Sequence, residues 1–169
     1  MSLRHRKKNS LQNLFYSMPS KIEYRIYVDT NVLVDYYTGQ DDAISCLKYL
    51  FTTSRKENLF TSSLALVQTV SQLQKKNTQR NRKAVTRDKA IEYLEFIFNK
   101  FTVIDLTQKN IADSLLLKNN DIEDNVHYII SKKLKCNRII TRNTKDYALF
   151  YDVEALSPDN IKLIKKKIT

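Results

Sequence analysis

The sequence alternates short apolar segments with longer segments of helical periodicity, and this alternation is the feature that most constrains its fold. β-branched and aromatic residues typical of buried strands occur at residues 25–28, 59–61, 102–106, 138–141 and 153–155. Between them, apolar residues recur three and four positions apart, which is the spacing of amphipathic helices. Because short strands separated by helices usually pair in parallel, we predict an α/β fold with a mostly parallel central sheet and helices on both faces.

Polar residues with strong capping preferences mark the predicted helix starts. Ser62 or Ser63, Thr107 and Asp121 each stand in front of a helical apolar pattern, and these residue types are favoured N-caps. The Ser-Pro-Asp run at residues 157–159 predicts the start of a final helix, because Pro suits the first helical turn. On three helices the periodicity places the following apolar side chains toward the core: Leu66, Val67, Val70, Leu73, Ile91, Leu94, Ile97, Phe98, Phe101, Ile111 and Leu115.

A chain of 169 residues is long enough for one domain with a substantial core. Residues 1–20 are polar and basic and are predicted to form a flexible N-terminal arm, whereas residues 21–169 form the single predicted domain. No segment approaches the roughly 18 consecutive apolar residues that suggest a membrane span. The two cysteines, Cys46 and Cys136, stand far apart and outside any CxxC motif. We therefore expect no disulfide scaffold, no structural zinc site and a cytoplasmic location.

Positive charge is concentrated in three segments of a chain whose formal net charge is +11. Residues 1–20 carry four bases and no acid, residues 75–89 seven bases and one acid, and residues 159–169 four bases and one acid. Such clusters favour a polyanionic partner because contacts with phosphates release counterions, although charged termini and loops also serve solubility alone. With a nucleic acid as the predicted partner, the candidate binding residues are Lys75, Lys76, Arg80, Arg82, Lys83 and Arg87.

The scarcity of glycine and histidine excludes several enzyme classes. Gly39 is the only glycine and the predicted C-cap of the first helix, so the chain has neither a GxGxxG nor a Walker phosphate-binding loop. Of the two histidines, His5 belongs to the predicted arm, and a histidine-based triad would depend on His127 alone. We interpret His127 as a partly buried helix residue and expect no nucleophilic catalysis of that kind.

Four aspartates stand where predicted parallel strands end, or where the helix before residues 138–141 begins. Asp29 directly follows the first strand, Asp121 and Asp124 share one face of a helix start, and Asp146 lies five residues beyond a strand. Taken singly, each fits a cap or a turn. A parallel sheet collects such positions at one edge, and converging carboxylates without His or Cys form an oxygen site suited to Mg²⁺ or Mn²⁺. The sequence therefore predicts a site for metal-assisted phosphodiester hydrolysis.

Three segments of the sequence resemble PIN domains, particularly VapC-type toxin ribonucleases: IYVDTNVLVDYY, LFTSSLALVQTVSQL and DIEDNVHYIISKKLKCNRIITRNTKDYALF. The resemblance covers about residues 25–161, nearly the whole predicted domain. It implies that Asp29, Asp124 and Asp146 are the metal-binding and catalytic residues, with Asp121 beside them as a further catalytic residue.

The same resemblance assigns a secondary layer of the site, and it also shows a departure from the family. Asn143 shares the fourth acidic position with Asp146, and Thr141 opens the T-R-N-x-K-D turn to which both belong. On the helix after the second strand the family usually has Glu, whereas this chain has Gln68. An amide oxygen can ligate a metal but brings no negative charge, so this substitution should weaken Mg²⁺ binding.

Three functional interpretations follow. The resemblance implies a metal-dependent endoribonuclease that hydrolyses RNA, the toxin of a toxin–antitoxin pair, with an antitoxin and a second copy of the chain as further partners. Gln68 motivates the alternative of a PIN-like module that binds RNA or protein with little or no catalysis. The third interpretation is a receiver-like signalling domain, because Asp29 and Thr141 stand at strand ends. That class expects paired acids before Asp29, and the nearest acid upstream is Glu23.

Overall fold

The sheet of the protein has five strands, and every neighbouring pair is parallel. In this computed structural model, which describes residues 24–75 and 83–168, the strands stand in the order β3-β2-β1-β4-β5. Their bounds are Ile26–Val28 (β1), Leu59–Ser62 (β2), Thr102–Ile104 (β3), Arg138–Ile140 (β4) and Glu154–Leu156 (β5). The predicted parallel sheet is confirmed. The predicted arm at residues 1–20 lies outside the described residues.

Seven α-helices within the described ranges connect and cover the strands. Their bounds are Thr30–Tyr37 (α1), Asp41–Thr53 (α2), Ser63–Gln74 (α3), Arg87–Lys100 (α4), Gln108–Ser114 (α5), Ile122–Lys133 (α6) and Ile161–Ile168 (α7). Ser62, Thr107 and Asp121 accept backbone hydrogen bonds as the N-caps of α3, α5 and α6, which confirms those predicted helix starts. Gly39 has φ +84° just beyond the end of α1, the backbone conformation in which glycine is favoured.

The predicted start of the last helix is wrong. Helix α7 begins at Ile161, after Asn160, rather than within residues 157–159. The Asn160 side chain accepts a hydrogen bond from the backbone N of Leu163 at 3.3 Å. Because Asn caps helices as well as Ser does, the residue nearer the apolar pattern provides the cap.

The predicted inward faces of three helices are partly wrong. Helix α4 buries Ala90, Tyr93 and Ile97, so Ile97 is confirmed as a core residue, whereas Ala90 and Tyr93 are buried in place of the predicted Ile91 and Phe98. The hydroxyl of Tyr93 donates to the backbone O of Leu33 at 2.6 Å, which fixes this rotation of the helix. The sequence periodicity could not show which face of α4 is buried, because the faces that contain Tyr93 and Phe98 are both apolar. The predicted core residues that are exposed instead are Val67, Ile91, Phe98, Ile111 and Leu115.

Side chains of β1 alternate between two hydrophobic cores, one on each face of the sheet. Ile26 and Val28 pack in a core with residues of α1, α2, α3, α4 and α7. Tyr27 packs in the other core with residues of α6 and β4, including Ile130 and Ile139. Helices therefore cover both faces of a parallel sheet, as the sequence predicts.

The two cysteines are buried and free. Burial raises the pKa of Cys46 and of Cys136 to about 12, so both thiols stay protonated at neutral pH. Within residues 24–75 and 83–168, no helix combines the length and the apolar character that crossing a membrane requires.

The strand order creates a crevice at the carboxyl ends of β1 and β4. From β1 the chain proceeds to β2 and β3 on one side, and then returns to β4 on the other side of β1. Ligands of open parallel sheets bind at such a reversal, outside the carboxyl ends of the strands. Asp29 directly follows β1 and Thr141 directly follows β4, so both residues stand at this crevice.

Candidate active site

Asp29 is buried at the carboxyl end of β1 and has a fixed orientation. It is the N-cap of α1, where its Oδ1 accepts from the backbone N of Thr30 at 2.6 Å. Its Oδ2 accepts from Asn31 Nδ2 at 2.8 Å and from Thr141 Oγ1 at 2.7 Å. The backbone N of Asp29 donates to the O of Ile140 at 3.0 Å, which joins the ends of β1 and β4. The capping role predicted for Asp29 is therefore real, and it holds the carboxylate in place at the crevice.

The turn after β4 is fixed by polar contacts with α1 and α2. Asn31 Oδ1 accepts from the backbone N of Arg142 at 3.0 Å, and Thr141 Oγ1 accepts from the backbone N of Asn143 at 3.0 Å. The guanidinium of Arg142 donates to Asp35 Oδ2 at 2.8 Å and to both carboxylate oxygens of Asp42 at 2.5 and 2.7 Å. The hydrogen bonds from Arg142 lower the pKa of Asp42. This arrangement fixes the turn that carries Asn143, whose Nδ2 lies 3.4 Å from Asp124 Oδ2.

Asp124 is the buried carboxyl in the first turn of α6. Asp121 caps this helix by accepting from the backbone N of Asp124 at 3.1 Å. The Asp124 carboxyl receives only long hydrogen bonds, from Asn143 Nδ2 and from Tyr147 Oη, both at 3.4 Å. The predicted capping-box role of the Asp124 side chain is not observed, since its carboxyl contacts the turn after β4.

The electrostatics of Asp124 reflect a concentration of acids. The pKa of the Asp124 carboxyl is raised to about 7, chiefly by burial, and the charges of Asp29, Asp121 and Asp146 contribute to this rise. Burial also raises the pKa of Tyr147, with the carboxylates of Asp29 and Asp124 adding to the effect. The Tyr147 hydroxyl therefore stays protonated and serves as a donor to Asp124.

Asp146 and Asp121 lie at the rim of the crevice. Asp146 is partly exposed, and its backbone N donates to the O of Asn143 at 3.0 Å within the turn. Asn119 Nδ2 donates to the backbone O of Asp146 at 3.3 Å, which ties this turn to the segment before α6. Asp121 is exposed. The structure thus brings all four predicted aspartates to one end of the sheet, with Asp29 and Asp124 at the bottom.

Gln68 lies beside Asp29, linked to it by a buried histidine. Gln68 Oε1 accepts from Thr30 Oγ1 at 2.6 Å and lies 3.2 Å from His127 Nε2. His127 is 2% exposed, and its Nε2 lies 3.6 Å from Asp29 Oδ1. Its Nδ1 lies 2.7 Å from the hydroxyl of Tyr27. The interpretation of His127 as a helix residue is confirmed, although its side chain is fully rather than partly buried and lies beside Asp29 and Gln68.

Sequence reasoning missed several residues that shape this site: Asn31, Arg142, His127 and Tyr147. A usable signal existed for Asn31, which stands two residues after Asp29 and is suited to bind back to that carboxylate. His127 stands three residues after Asp124 on the same helix face, a spacing that also points to the site. The contacts of Arg142 with α1 and α2 depend on tertiary structure and leave no local signal.

The donor set suits a hard divalent cation. Within residues 24–75 and 83–168, no three His, Cys, Asp or Glu side chains lie close enough together to enclose a metal by themselves. Mg²⁺, however, commonly takes one or two protein carboxylates and keeps several waters. Burial and, after it, the charges of neighbouring acids raise the pKa of Asp124, and a bound cation would offset both effects by stabilising the charged carboxylate. In charge and donor chemistry the residues fit Mg²⁺ or Mn²⁺, and ligation by Asp29, Asp124 and Asp146 stays a prediction.

The candidate nucleic-acid-binding residues flank the junction of α3 and α4. Lys75, at the end of α3, is exposed, as are Lys83 and Arg87. The backbone N of Val85 donates to the O of Leu73 at 2.9 Å, so the two helix ends lie together. Outside the described residues lie Lys76, Arg80 and Arg82.

The family model of the PIN domain matches residues 26–155. That range contains four complete strands, β5 except for its last residue, and every residue of the crevice described above. The chain therefore belongs to the PIN domain family. This membership rules out the receiver-like interpretation of Asp29 and Thr141. None of the curated proteins compared with the chain matches it significantly.

Solved structures of toxin–antitoxin proteins share this fold. The FitAcB structure from Neisseria gonorrhoeae has a TM-score of 0.60 at 17% sequence identity, covering 80% of this chain and 99% of that one. A VapC toxin from Mycobacterium tuberculosis, described as cleaving the sarcin–ricin loop, has a TM-score of 0.56 at 15% identity, covering 74% and 95%. A toxin–antitoxin complex from Klebsiella pneumoniae has a TM-score of 0.55 at 18% identity, covering 79% and 97%. At these identities the likeness establishes the fold.

Proposed function

We propose that the protein is a metal-dependent endoribonuclease of the PIN type, which hydrolyses RNA phosphodiesters as the toxin of a toxin–antitoxin pair. The observation that carries this proposal is the buried Asp124 carboxyl. Burial, reinforced by the charges of Asp29, Asp121 and Asp146, raises its pKa to about 7 at the edge of the sheet where such folds bind ligands. Buried groups with strongly shifted pKa values in a crevice are typical of functional sites. Membership of a family that consists generally of nucleases adds support.

Asp29, Asp124 and Asp146 are the proposed holders of one Mg²⁺ or Mn²⁺, with Asp121 at the rim as a further catalytic residue. A cation bound there would activate water and neutralise the charge that develops on the phosphate. Asp29 is held for this purpose by the donors Asn31 and Thr141.

The turn after β4 has its own proposed part in binding. Asn143 stands between Asp124 and Asp146, so its amide can contribute an oxygen ligand or a hydrogen bond to the substrate. Tyr147 donates to Asp124 and limits how far that carboxyl can rotate. Preorganised donors around fixed carboxylates reduce the rearrangement needed when substrate binds.

RNA is the proposed substrate, and its negative charge suits the basic segments of the chain. The exposed bases Lys75, Lys83 and Arg87 stand at the α3–α4 junction. Contacts of this kind supply affinity without sequence preference. A cognate antitoxin and a second copy of the chain are the further proposed partners, and similar structures of toxin–antitoxin complexes support the first. The buried free thiols suit the proposed location in the cytoplasm.

The second candidate function is a PIN-like module that binds RNA or protein with little catalysis. Gln68 favours it, because the amide removes a negative charge where the family usually has Glu. Fewer charged ligands should weaken metal binding and lower the concentration of loaded enzyme.

Cleavage of a defined RNA by the purified protein separates the two candidates. With Mg²⁺ or Mn²⁺ we expect cleavage that stops in chelator and in Asp29→Asn or Asp124→Asn, because Asn preserves shape but not charge. Asp146→Asn should reduce the rate less, since Asn143 shares that position. Asp159→Asn, an exposed substitution before α7, is the matched control and should cleave normally. Cleavage that persists in chelator and in both buried variants would contradict the proposal, and RNA binding without cleavage would favour the binding module.

A further inference from the structure

The surroundings of His127 favour a proton on its Nε2. This atom lies 3.2 Å from Gln68 Oε1 and 3.6 Å from Asp29 Oδ1, whereas Nδ1 faces the hydroxyl of Tyr27 at 2.7 Å. An unprotonated Nε2 would direct its lone pair at a buried carboxylate, which is electrostatically unfavourable. The Tyr27 hydroxyl lies 2.7 Å from both Nδ1 and Ser62 Oγ, and its single proton can be donated to only one of them at a time. The ring of His127 therefore donates toward Gln68 and Asp29.

The amide of Gln68 has one orientation that satisfies these donors. Its Oε1 accepts from Thr30 Oγ1 at 2.6 Å and from His127 Nε2, so both of its lone pairs are occupied. An amide oxygen in this state is a poor metal ligand. Within the described residues, the amide nitrogen of Gln68 has no acceptor, although the side chain is only partly exposed.

We propose that Gln68 binds the substrate: its amide nitrogen donates to a non-bridging phosphate oxygen of the RNA, and Gln68 does not ligate the metal. This inference rests on the proposed function. Asp29 and Asp124 repel a phosphodiester, and a neutral donor beside Asp29 offsets that repulsion where a glutamate would add to it. Hydrogen bonds to charged acceptors are also stronger than those between neutral groups.

The position of Gln68 on α3 connects the basic segment with the site. Gln68 and Lys75 are seven residues apart, which puts them on nearly the same side of the helix and about 10 Å apart along its axis. An RNA strand that contacts Lys75 and the exposed bases beyond it can thus reach the amide of Gln68 and the crevice at Asp29. Gln68 then fixes which phosphate enters the site.

The test measures metal binding and RNA binding separately in Gln68→Glu and Gln68→Met. Glu keeps an oxygen acceptor for Thr30 and His127 but has no donor, whereas Met removes both functions at similar volume. Gln74→Met, an exposed position at the end of the same helix, is the matched control. Mn²⁺ affinity is measured without RNA by electron paramagnetic resonance. Affinity for a short oligoribonucleotide is measured by fluorescence anisotropy with Ca²⁺ in place of Mg²⁺, and the RNA is checked for integrity afterwards.

We expect Gln68→Met to leave Mn²⁺ affinity within twofold of the wild type and to weaken RNA binding about tenfold. Gln68→Glu should weaken RNA binding at least as much, and Gln74→Met should change neither. Reduced Mn²⁺ affinity with unchanged RNA affinity in Gln68→Met would make Gln68 a metal ligand and overturn the proposal. Unchanged RNA affinity in Gln68→Glu would overturn it too, even if the Met variant failed to fold.

A second measurement tests the orientation of the amide. Nitrogen-15 NMR of the His127 ring should find the proton on Nε2. A proton on Nδ1 alone would mean that the amide nitrogen of Gln68, rather than its oxygen, faces Nε2, and this would overturn the proposal. The assignment is practical because His5 is the only other histidine. The binding assays do not depend on turnover. If the protein bound RNA but never cleaved it, the proposed nuclease activity would be refuted, and the binding assays would still show whether Gln68 contacts RNA.

Discussion

At the scale of single residues, the buried Asp124 carboxyl is a group whose ionisation opposes the stability of the fold. Its pKa in the folded protein is about 7, against an ordinary value of 3.8. Below about pH 4 the group is protonated in both folded and unfolded chains, and it carries no penalty. Between about pH 4 and pH 7 the unfolded chain releases this proton while the folded protein keeps it, so the stability of the folded protein falls across this window. Above pH 7 both states are ionised, and the full cost of holding a buried charge beside other acids remains.

Asp124→Asn should therefore stabilise the metal-free protein at pH 8 and have little effect at pH 4. A shift of about three pKa units sets an upper limit of about 4 kcal/mol, and we expect a gain of about 2 kcal/mol in the free energy of unfolding. Urea unfolding in chelator at both pH values measures this difference, with Asp159→Asn as the control. At pH 8, added Mg²⁺ should stabilise the wild type by mass action but not Asp124→Asn. Equal stability of the two proteins at pH 8 in chelator would contradict the account of Asp124.

At the scale of elements, the junctions between strands and helices were the most predictable features. Ser62, Thr107 and Asp121 were identified as caps because capping depends on a side chain and the few residues after it. The face of α4 was not predictable, since Tyr93 and Phe98 are both apolar enough to be buried and only the packed neighbours select one. The start of α7 was also not predictable, because Ser157 and Asn160 have similar capping preferences.

The candidate site was predictable in part, and for an identifiable reason. The position of the aspartates was predictable because the carboxyl ends of parallel strands meet at one edge of the sheet, independently of how the other side chains pack. The roles of His127 and Tyr147 could not be read, because each contacts residues that are distant in sequence. Gln68 was located from the family pattern, but the hydrogen bonds of its amide depend on Thr30 and His127 together.

Also at the scale of elements, Arg142 fixes the position of the turn after β4 through its contacts with α1 and α2. Arg142→Lys keeps the charge but loses the planar fork that contacts Asp35 and Asp42 together. We expect a loss of about 1 to 2 kcal/mol in the free energy of unfolding, together with weaker Mg²⁺ binding, because the position of Asn143 becomes less fixed. Urea unfolding and metal titration measure the two effects, and Arg55→Lys at an exposed position is the control. Destabilisation without any change in Mg²⁺ affinity would limit Arg142 to a structural role.

At the scale of the whole molecule, charge is divided between an acidic crevice and basic segments. The net charge of +11 arises from residues 1–20, 75–89 and 159–169, and the remainder of the chain is slightly acidic. Under the proposed function, such a division would let long-range attraction bring a polyanion to the protein, while a bound cation would offset the local repulsion at Asp29 and Asp124. Affinity for RNA and metal-dependent chemistry should therefore be separable by mutation.

Neutralising four bases of the α3–α4 junction tests this separation. The substituted residues, each changed to Gln, are Arg80, Arg82, Lys83 and Arg87. RNA binding should weaken about equally for unrelated sequences, and the slope of log affinity against log salt should fall by up to roughly three, at about 0.7 per phosphate contact on a single strand. Fluorescence anisotropy at several salt concentrations measures both quantities.

The matched control for that variant removes four exposed bases from elsewhere on the molecule, so that the net charge is the same. The control residues, each changed to Gln, are Lys48, Arg55, Lys100 and Lys118. If affinity depended on net charge alone, both variants would lose the same slope, because long-range attraction is not sensitive to position. We expect the control to retain most of the wild-type slope, since local phosphate contacts release the counterions. Equal slopes in the two variants would show that the segment from Lys75 to Lys89 is only a solvated surface.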